Sequence, residues 1–509
     1  MGLIRTMINK TREGLRTFLQ ITPAAETVIQ IDEGMDFLTN CAKNRIWYNG
    51  KSRQLSQLYK SLDGVQKSMF WAASMTQGLE IRKLHTGLPK VIIDMLTYIV
   101  ANDFNGVQIQ SEGNKTYEGT WNTLAKSNDF ETKIEEFLRD ICTVGDGAFK
   151  LSYDSEISKD VIIEWYPAER VKFVRRRGRI VEVKFYTDYY KSGRKYQFIE
   201  RYGFGYITYE LIDDNDKPVP LSLFDETAWA EGQNISFDKS VTFAVPAIMG
   251  SHPQYKGRGV SLIDSKDDAG DALDEVFSQW MDALRAGRTK QMFPERLVPR
   301  DPNTGELAAP NPFDNRFIVV GDDNMQEGKS NGIQTETPNI PSESYLAAYI
   351  TALDLYLQGL VSPSTIGIDV KKLDNAEAQR EKEKTTLYTR QKLVGLVESV
   401  IPKLVLAALN AQELLTKGGA PVSEALEIKV KFGEYANPSF ESQVETVSKA
   451  RTGGVMSIKT SIDELYGDSK DDDWKNEEER RIKEENGIAA VEETSEADDI
   501  DLNDIMSEE

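Results

Sequence analysis

The chain has 509 residues, 40% of them hydrophobic and 28% charged, a globular composition with room for about three domains of ordinary size. Its net charge is −21, of which residues 468–509, with five basic and 18 acidic side chains, carry −13. That excludes an overall basic coat for nucleic acid, so any contact with DNA must be local or weak. Two distant cysteines, Cys41 and Cys142, and two histidines, His85 and His252, have no metal-ligand spacing; neither a disulfide framework, a metal site nor a cofactor is expected.

The opening stretch MGLIRTMINKTREGLRTFLQ lacks the apolar run of a secretory signal and reads as an amphipathic helix. The first 110 residues read as mostly helical. The clearest segment is Ile81–Asn102, where Leu88, Ile92, Ile93, Leu96 and Ile99 recur near helical spacing and Pro89 suits the first turn of a helix starting near Thr86. His85, just before it, is assigned a local structural role. Ile134–Thr143 reads as another helix, ending at Gly145-Asp146-Gly147, an ordinary Asp-Gly turn. From Ala148 to Ile212 the period changes to two. Runs such as VIIEWY, VKFVRR and YQFIERY, separated by Arg177-Gly178, Ser192-Gly193 and Gly203-Phe204-Gly205, predict an antiparallel meander. Arg175, Arg176, Arg177 and Arg179 cluster at one turn, where an exposed hairpin tip is preferred over a phosphate patch.

A long helix is expected over Ser261–Gly287. Leu273, Val276, Phe277, Trp280, Met281 and Leu284 form a narrow apolar stripe suited to packing between neighbouring helices. Asp264, Asp267, Asp268, Asp271 and Asp274 crowd its first half, where the helix dipole favours acids. The Pro-rich stretch 288–341 reads as a small projecting module with short strands, including Arg316–Val320. A helix over Ser342–Leu360 follows, then the loop SPSTIGIDVKKLD from Ser362 to Asp374. Asp374 and Glu377 resemble a capping box for a helix that is charged to Arg390, apolar from Leu393 and kinked at Pro402. Gly395, Glu398, Pro402 and Lys403 break the apolar run Leu393–Leu409, so no membrane-spanning segment is expected. Ile428–Phe432 is a strand candidate, Phe440–Ala450 a helix, and the end from Glu492 reads as a disordered acidic tail.

Enzyme motifs are missing. There is no GxxxxGK[ST], HExxH or GxSxG, and Gly328-Lys329-Ser330 lacks a glycine at the required upstream spacing, so no catalytic residues are assigned.

Three segments carry a family resemblance: RKLHTGLPKVIIDMLTYIV (82–100), YKGRGVSLIDSKDDAGDALDEVFSQWMDALRAGR (255–288) and above all SPSTIGIDVKKLDNAEAQREKEKTTLYTRQKLV (362–394). The chain resembles the portal proteins of tailed bacteriophages, of the type found in phages and prophages of Gram-positive bacteria. The resemblance implies an α+β portal fold. Residues 1–254 would form a mixed helix and antiparallel-sheet wing, 255–290 and 342–361 paired stem helices, and 291–341 a small α/β clip. Residues 362–375 would be a tunnel loop, 376–399 a helix connecting wing and crown, 400–491 a mostly helical crown, and 492–509 the acidic tail.

It further implies a ring of twelve copies at the portal vertex of the virion, assembled in the host cytoplasm. The ring would pass double-stranded viral DNA during packaging and ejection. Its other partners would be the large terminase subunit, the scaffold and major capsid proteins, and a head-completion adaptor, with no membrane. On this reading Leu273, Val276, Phe277, Trp280 and Leu284 lie at the subunit interface. Lys371 and Lys372 touch DNA from the tunnel loop, Arg296 and Arg300 dock the motor or adaptor, and some stem acids face the channel. The alternatives are another virion protein, such as a head–tail adaptor, and an enzyme.

Overall fold

A computed structural model describes residues 35–61, 69–73, 81–110, 116–294, 300, 302, 304–305, 317–320, 334–368, 376–417, 426–433, 440–466, 470 and 472–485. They divide into two units, one ending at Phe432 and one beginning at Gly433.

The first unit opens with α1 (Phe37–Asn49), whose end Gly50 closes in the left-handed conformation, and α2 (Ser52–Ser61). Asp36 caps α1 by accepting a hydrogen bond from the Thr39 N–H at 2.7 Å. Next comes α3 (Leu88–Asp103), with Pro89 in its first turn. Its start lies within two residues of Thr86, where Pro89 in the first turn predicts it. Acceptors on another element take the preceding N–H groups: Leu84 N–H donates to Ser278 Oγ at 2.9 Å and Thr86 N–H to Asp274 Oδ1 at 2.9 Å.

A short strand, β1 (Phe104–Gln110), follows where helix was expected, then α4 (Thr116–Ser127) and α5 (Phe130–Val144). Gly145 ends α5 at φ 90°, and the chain passes directly into β2 (Asp146–Ser152). Asp146 is therefore not on a free turn, as its sequence suggested. It is fully buried, pairs with Arg258 at 2.9 Å and accepts the Gly259 N–H at 2.8 Å.

The strands come in two sheets rather than one meander. β2 lies between β3 (Ile162–Pro167) and β10 (Ala244–Ile248), antiparallel to both. Pro167 ends β3, because it has no N–H for the ladder, and a short 3-10 turn over Ala168–Arg170 redirects the chain. The second sheet is a true meander. β4 (Val171–Arg176), β5 (Arg179–Lys191), β6 (Arg194–Gly203), β7 (Tyr206–Asp213) and β8 (Pro218–Val219) pair in sequence order, and β9 (Asn234–Ser236), reached after the one-turn α6 (Asp225–Ala228), adds to β7. Its first two hairpins turn on Arg177-Gly178 and Ser192-Gly193, all four residues at positive φ, the two-residue turn that matches strand twist.

Beyond β10 come α7 (Asp267–Ala286), then β11 (Lys290–Pro294), β12 (Phe317–Val320) and β13 (Gln334–Glu336), and α8 (Ser342–Leu357). Helix α7 starts six residues later than expected, since Ser261 N–H turns back to Asp264 Oδ2 at 2.7 Å and Leu262 N–H binds Cys142 O at 3.0 Å. The three strands form one small sheet, β12 parallel and β13 antiparallel to β11.

The longest element is α9 (Ala376–Lys417), which runs unbroken through Pro402 and across residues 399–400. Its stretch Lys384–Thr416 is long and apolar enough to cross a bilayer by length and composition. Instead it is the centre of the core: Leu393, Val397, Ile401, Leu404 and Ala408, three or four residues apart, are all fully buried. The unit closes with β14 (Glu427–Phe432), antiparallel to β1.

The second unit is helical: α10 (Phe440–Thr452), α11 (Ile458–Tyr466) and α12 (Asp472–Glu485), with Tyr466 and Trp474 rings 4.9 Å apart joining the last two. The fold class is α+β, with every described strand pair antiparallel except β11–β12.

Candidate functional site

Helices α7 and α8 form an antiparallel hairpin around the small three-stranded sheet. At one end Lys266 donates to the carbonyls of Leu355 (3.3 Å) and Gln358 (2.7 Å), capping the end of α8 with a cation where the helix dipole favours one. At the other end Gly287 lies against Ile340. Near Lys266 the helices approach closely across Gly270, where a Cβ would stand 3.1–3.2 Å from Trp47 and Tyr356. Farther along, Tyr349 of α8 stacks near Phe277 and Trp280 of α7, with ring centroids 6.1 and 6.0 Å away.

The hairpin has two chemically different halves. At its base, Leu273, Leu353, Tyr356 and Leu357 are buried within the subunit. Leu273, at 1% exposure, is a core residue of its own chain and is withdrawn from the predicted interface. Toward the small sheet, Val276, Phe277 and Trp280 are half-buried, while Leu284 and Leu346 are 42% and 46% exposed. This apolar surface is what one subunit leaves uncovered.

The acids of α7 do not behave as predicted for a channel wall. Asp274 is fully buried and accepts from His85 Nδ1 (2.7 Å), Thr86 N–H (2.9 Å), Trp71 Nε1 (3.1 Å) and Thr86 Oγ1 (3.1 Å). Asp271 accepts the N–H groups of Phe70 and Trp71 at 2.7 and 3.1 Å, and burial raises its pKa. Asp267 binds Lys43 at 2.5 Å, and burial again raises its pKa. Asp264 accepts from Asn40 and Asn44 of α1. Four of the five acids thus tie residues of α1 and of the segments at 70–71 and 85–86 to α7 and the turn before it, and Asp268 alone of the five is exposed. Asp271 and Asp274 are held inside because the N–H groups of Phe70, Trp71 and Thr86, which lie outside helices and strands, take them as acceptors. Sequence reasoning missed this knot: the acids were visible, their distant donors were not. His85 has the structural role expected of it, its Nε2 lying 3.3 Å from Trp47 O.

The loop after α8 is also held more firmly than predicted. Pro363–Ile366 forms a 3-10 turn closed by Gly367 at φ 75°. The N–H of buried Ser362 donates to Thr386 Oγ1 at 2.9 Å, and Ile366 and Ile368 pack on the core. Ser362–Ile368 is therefore attached to α9. Lys371, Lys372 and the predicted cap Asp374 lie outside the described residues, as does Arg296. Arg300 is exposed and donates to Gly305 O at 3.2 Å. Cys41 and Cys142 are buried, unpaired thiols, and among the described residues no group of three or more His, Cys, Asp or Glu is arranged to hold a metal ion.

The sequence matches the family described as phage portal protein, SPP1 Gp6-like, over residues 30–490. The chain belongs to the phage portal protein family. No curated protein matches it. Solved structures similar to it include a chain from the virion of a native gene transfer agent particle, 14% identical over 83% of this chain and 91% of that one, with a TM-score of 0.37. A second is from the neck of an empty gene transfer agent particle, 15% identical over 73% and 87%, TM-score 0.37. A third is from the neck of the native particle, computed with C12 symmetry, 15% identical over 74% and 89%, TM-score 0.38. As a portal-family member the chain is a structural protein, and the α7–α8 hairpin occupies the sequence positions assigned above to the paired stem helices.

Proposed function

We propose that this portal subunit assembles into a closed ring of twelve at one vertex of a phage capsid, forming the channel through which double-stranded DNA is packaged and ejected. The observation that carries this reading is the half-covered stripe of the stem. Val276, Phe277 and Trp280 are only half-covered and Leu284 and Leu346 exposed among the described residues, and a head-to-tail contact repeated around an axis supplies an apolar partner. The chain then has no reaction of its own and resides in the virion.

In this reading residues 1–254 are the wing, 255–290 and 342–361 the stem, 291–341 the clip, 362–375 the tunnel loop, 376–399 the connecting helix, and 400–491 the crown. The clip docks the large terminase subunit and later the head-completion adaptor, with Arg296 and Arg300 as contacts. Lys371 and Lys372 offer mobile point charges to passing phosphates. The test is the assembly state. The purified chain should sediment as a ring with an axial channel visible by electron microscopy, and Leu284→Asp should shift it to free subunits with unchanged circular dichroism. Intact rings from that variant would refute the stem interface.

A further inference from the structure

The β4–β5 hairpin carries a charge pattern that neither the fold nor the ring explains. Residues 170–181 hold six basic side chains and no acid, in a chain of net charge −21. Arg176 and Arg179 face each other directly across the ladder, and Lys172 faces Lys184 on the same two strands. Like charges opposed in this way destabilise a sheet. Arg177 occupies the turn at φ 51°, a conformation unfavourable for a residue with a long side chain and better suited to Asn or Gly. Arg176, Arg177 and Arg179 are exposed, and among the described residues none has an acidic partner.

Arg175 differs from them. It donates to Gly178 O at 3.2 Å and Gly257 O at 3.0 Å, fastening the hairpin to the loop before α7. Gly257, at φ 81°, leaves the room for it: a Cβ there would lie 2.9 Å from Arg175 Nε. A bulge between Val174 and Arg175 adds twist just below the tip. The hairpin is thus a braced mount for three unpaired guanidinium groups. β4 is an edge strand, and edge charge can serve merely to repel other strands. That purpose needs neither opposed like charges nor an arginine in the turn. Arginine's planar fork fits phosphate oxygens in pairs, which a lysine cannot do.

We infer that Arg176, Arg177 and Arg179 form a phosphate-docking tip for the backbone of double-stranded DNA, separate from the tunnel-loop lysines. The inference rests on the portal reading for its ligand. Binding would be independent of base sequence and would weaken with salt, since each neutralised phosphate releases condensed counterions.

The test uses the assembled full-length chain and a short DNA duplex, with affinity measured by fluorescence anisotropy from about 50 to 200 mM salt. The variant is Arg176→Gln, Arg177→Asn and Arg179→Gln together; Asn suits the positive-φ turn, so the hairpin keeps its shape. A charge-matched control neutralises the exposed Lys126, Lys217 and Lys239 to Gln. The expected result is a loss of at least about tenfold in affinity and a fall in the log–log salt slope of about 2–3 for the hairpin variant alone. Equal slopes for parent and hairpin variant, or equal losses in variant and control, would overturn the proposal. So would a parent that binds polyglutamate but not the duplex, which would mark the tip as a site for an acidic protein. Sedimentation of the same samples reads ring assembly separately, so a failed ring and a failed DNA site are distinguishable.

Discussion

Replacing Asp274 by Ala removes the acceptor at the centre of the stem's attachment to the N-terminal layer. Three donors then lose their partner in a dry site: His85 Nδ1, Trp71 Nε1 and the Thr86 N–H, now 2.7, 3.1 and 2.9 Å from the carboxylate. The Thr86 hydroxyl can rotate to another acceptor. Leaving buried donors unsatisfied costs about 1–3 kcal/mol each. For three donors the loss is at least about 3 kcal/mol, a large share of the roughly 5–15 kcal/mol that holds a folded domain together. Urea unfolding followed by tryptophan fluorescence reads this directly, because Trp47 and Trp71 flank His85 with ring centroids 5.3 and 6.2 Å away. Asp268→Ala, on the same helix but exposed, is the comparison and should change stability by less than about 0.5 kcal/mol. If both substitutions are equally mild, Asp274 is not a structural knot, and the case for assigning these acids to the subunit interior collapses.

Replacing Lys371 and Lys372 together by Ala should leave ring sedimentation unchanged and lower the yield of stably filled heads; equal genome retention would mean that the loop lysines do not grip DNA. Charge reversal at Arg296 and Arg300 should preserve rings and weaken terminase capture in a pull-down at physiological salt. Burial pushes the Asp146 pKa up to about 6, despite Arg258 beside it. The folded chain therefore holds a proton at Asp146 between about pH 4 and 6 that the unfolded chain has released, so this group's contribution to stability falls as pH rises through that window, by on the order of 2–3 kcal/mol. Asp146→Asn removes the titration, and the parent's stability relative to that variant should decline from pH 4 to pH 7; a constant difference would contradict the assignment.

Local chemistry made the meander legible: alternating Val, Ile, Phe and Tyr bounded by Arg177-Gly178 and Ser192-Gly193 specify hairpins without reference to the rest of the chain. Helices α7 and α8 were legible for the same reason, through periodicity. What escaped was decided at long range. The tie of residues 84–86 to α7 escaped, because Ser278 and Asp274, which bind the N–H groups of Leu84 and Thr86, lie about 190 residues away in the sequence. Leu273 belongs to the same stripe as Leu284, but only packing against the subunit's own core separates buried from exposed. The acids of α7 read as a repulsive wall because a sequence shows charge and not the donors that meet it. β1 escaped because FNGVQIQ becomes a strand only beside β14.

That last pairing has a consequence for biosynthesis. Phe104 lies opposite Phe432, so about 330 residues separate the two strands in the chain. At roughly 5–20 residues per second, β1 leaves the ribosome on the order of 16–66 seconds before its partner exists. During that interval its edge is open, and the buried face of α9 that completes the core is also still unmade. The first unit therefore finishes folding only after β14 has been made, and premature termination between α9 and β14 should yield a chain that aggregates rather than a shorter stable protein.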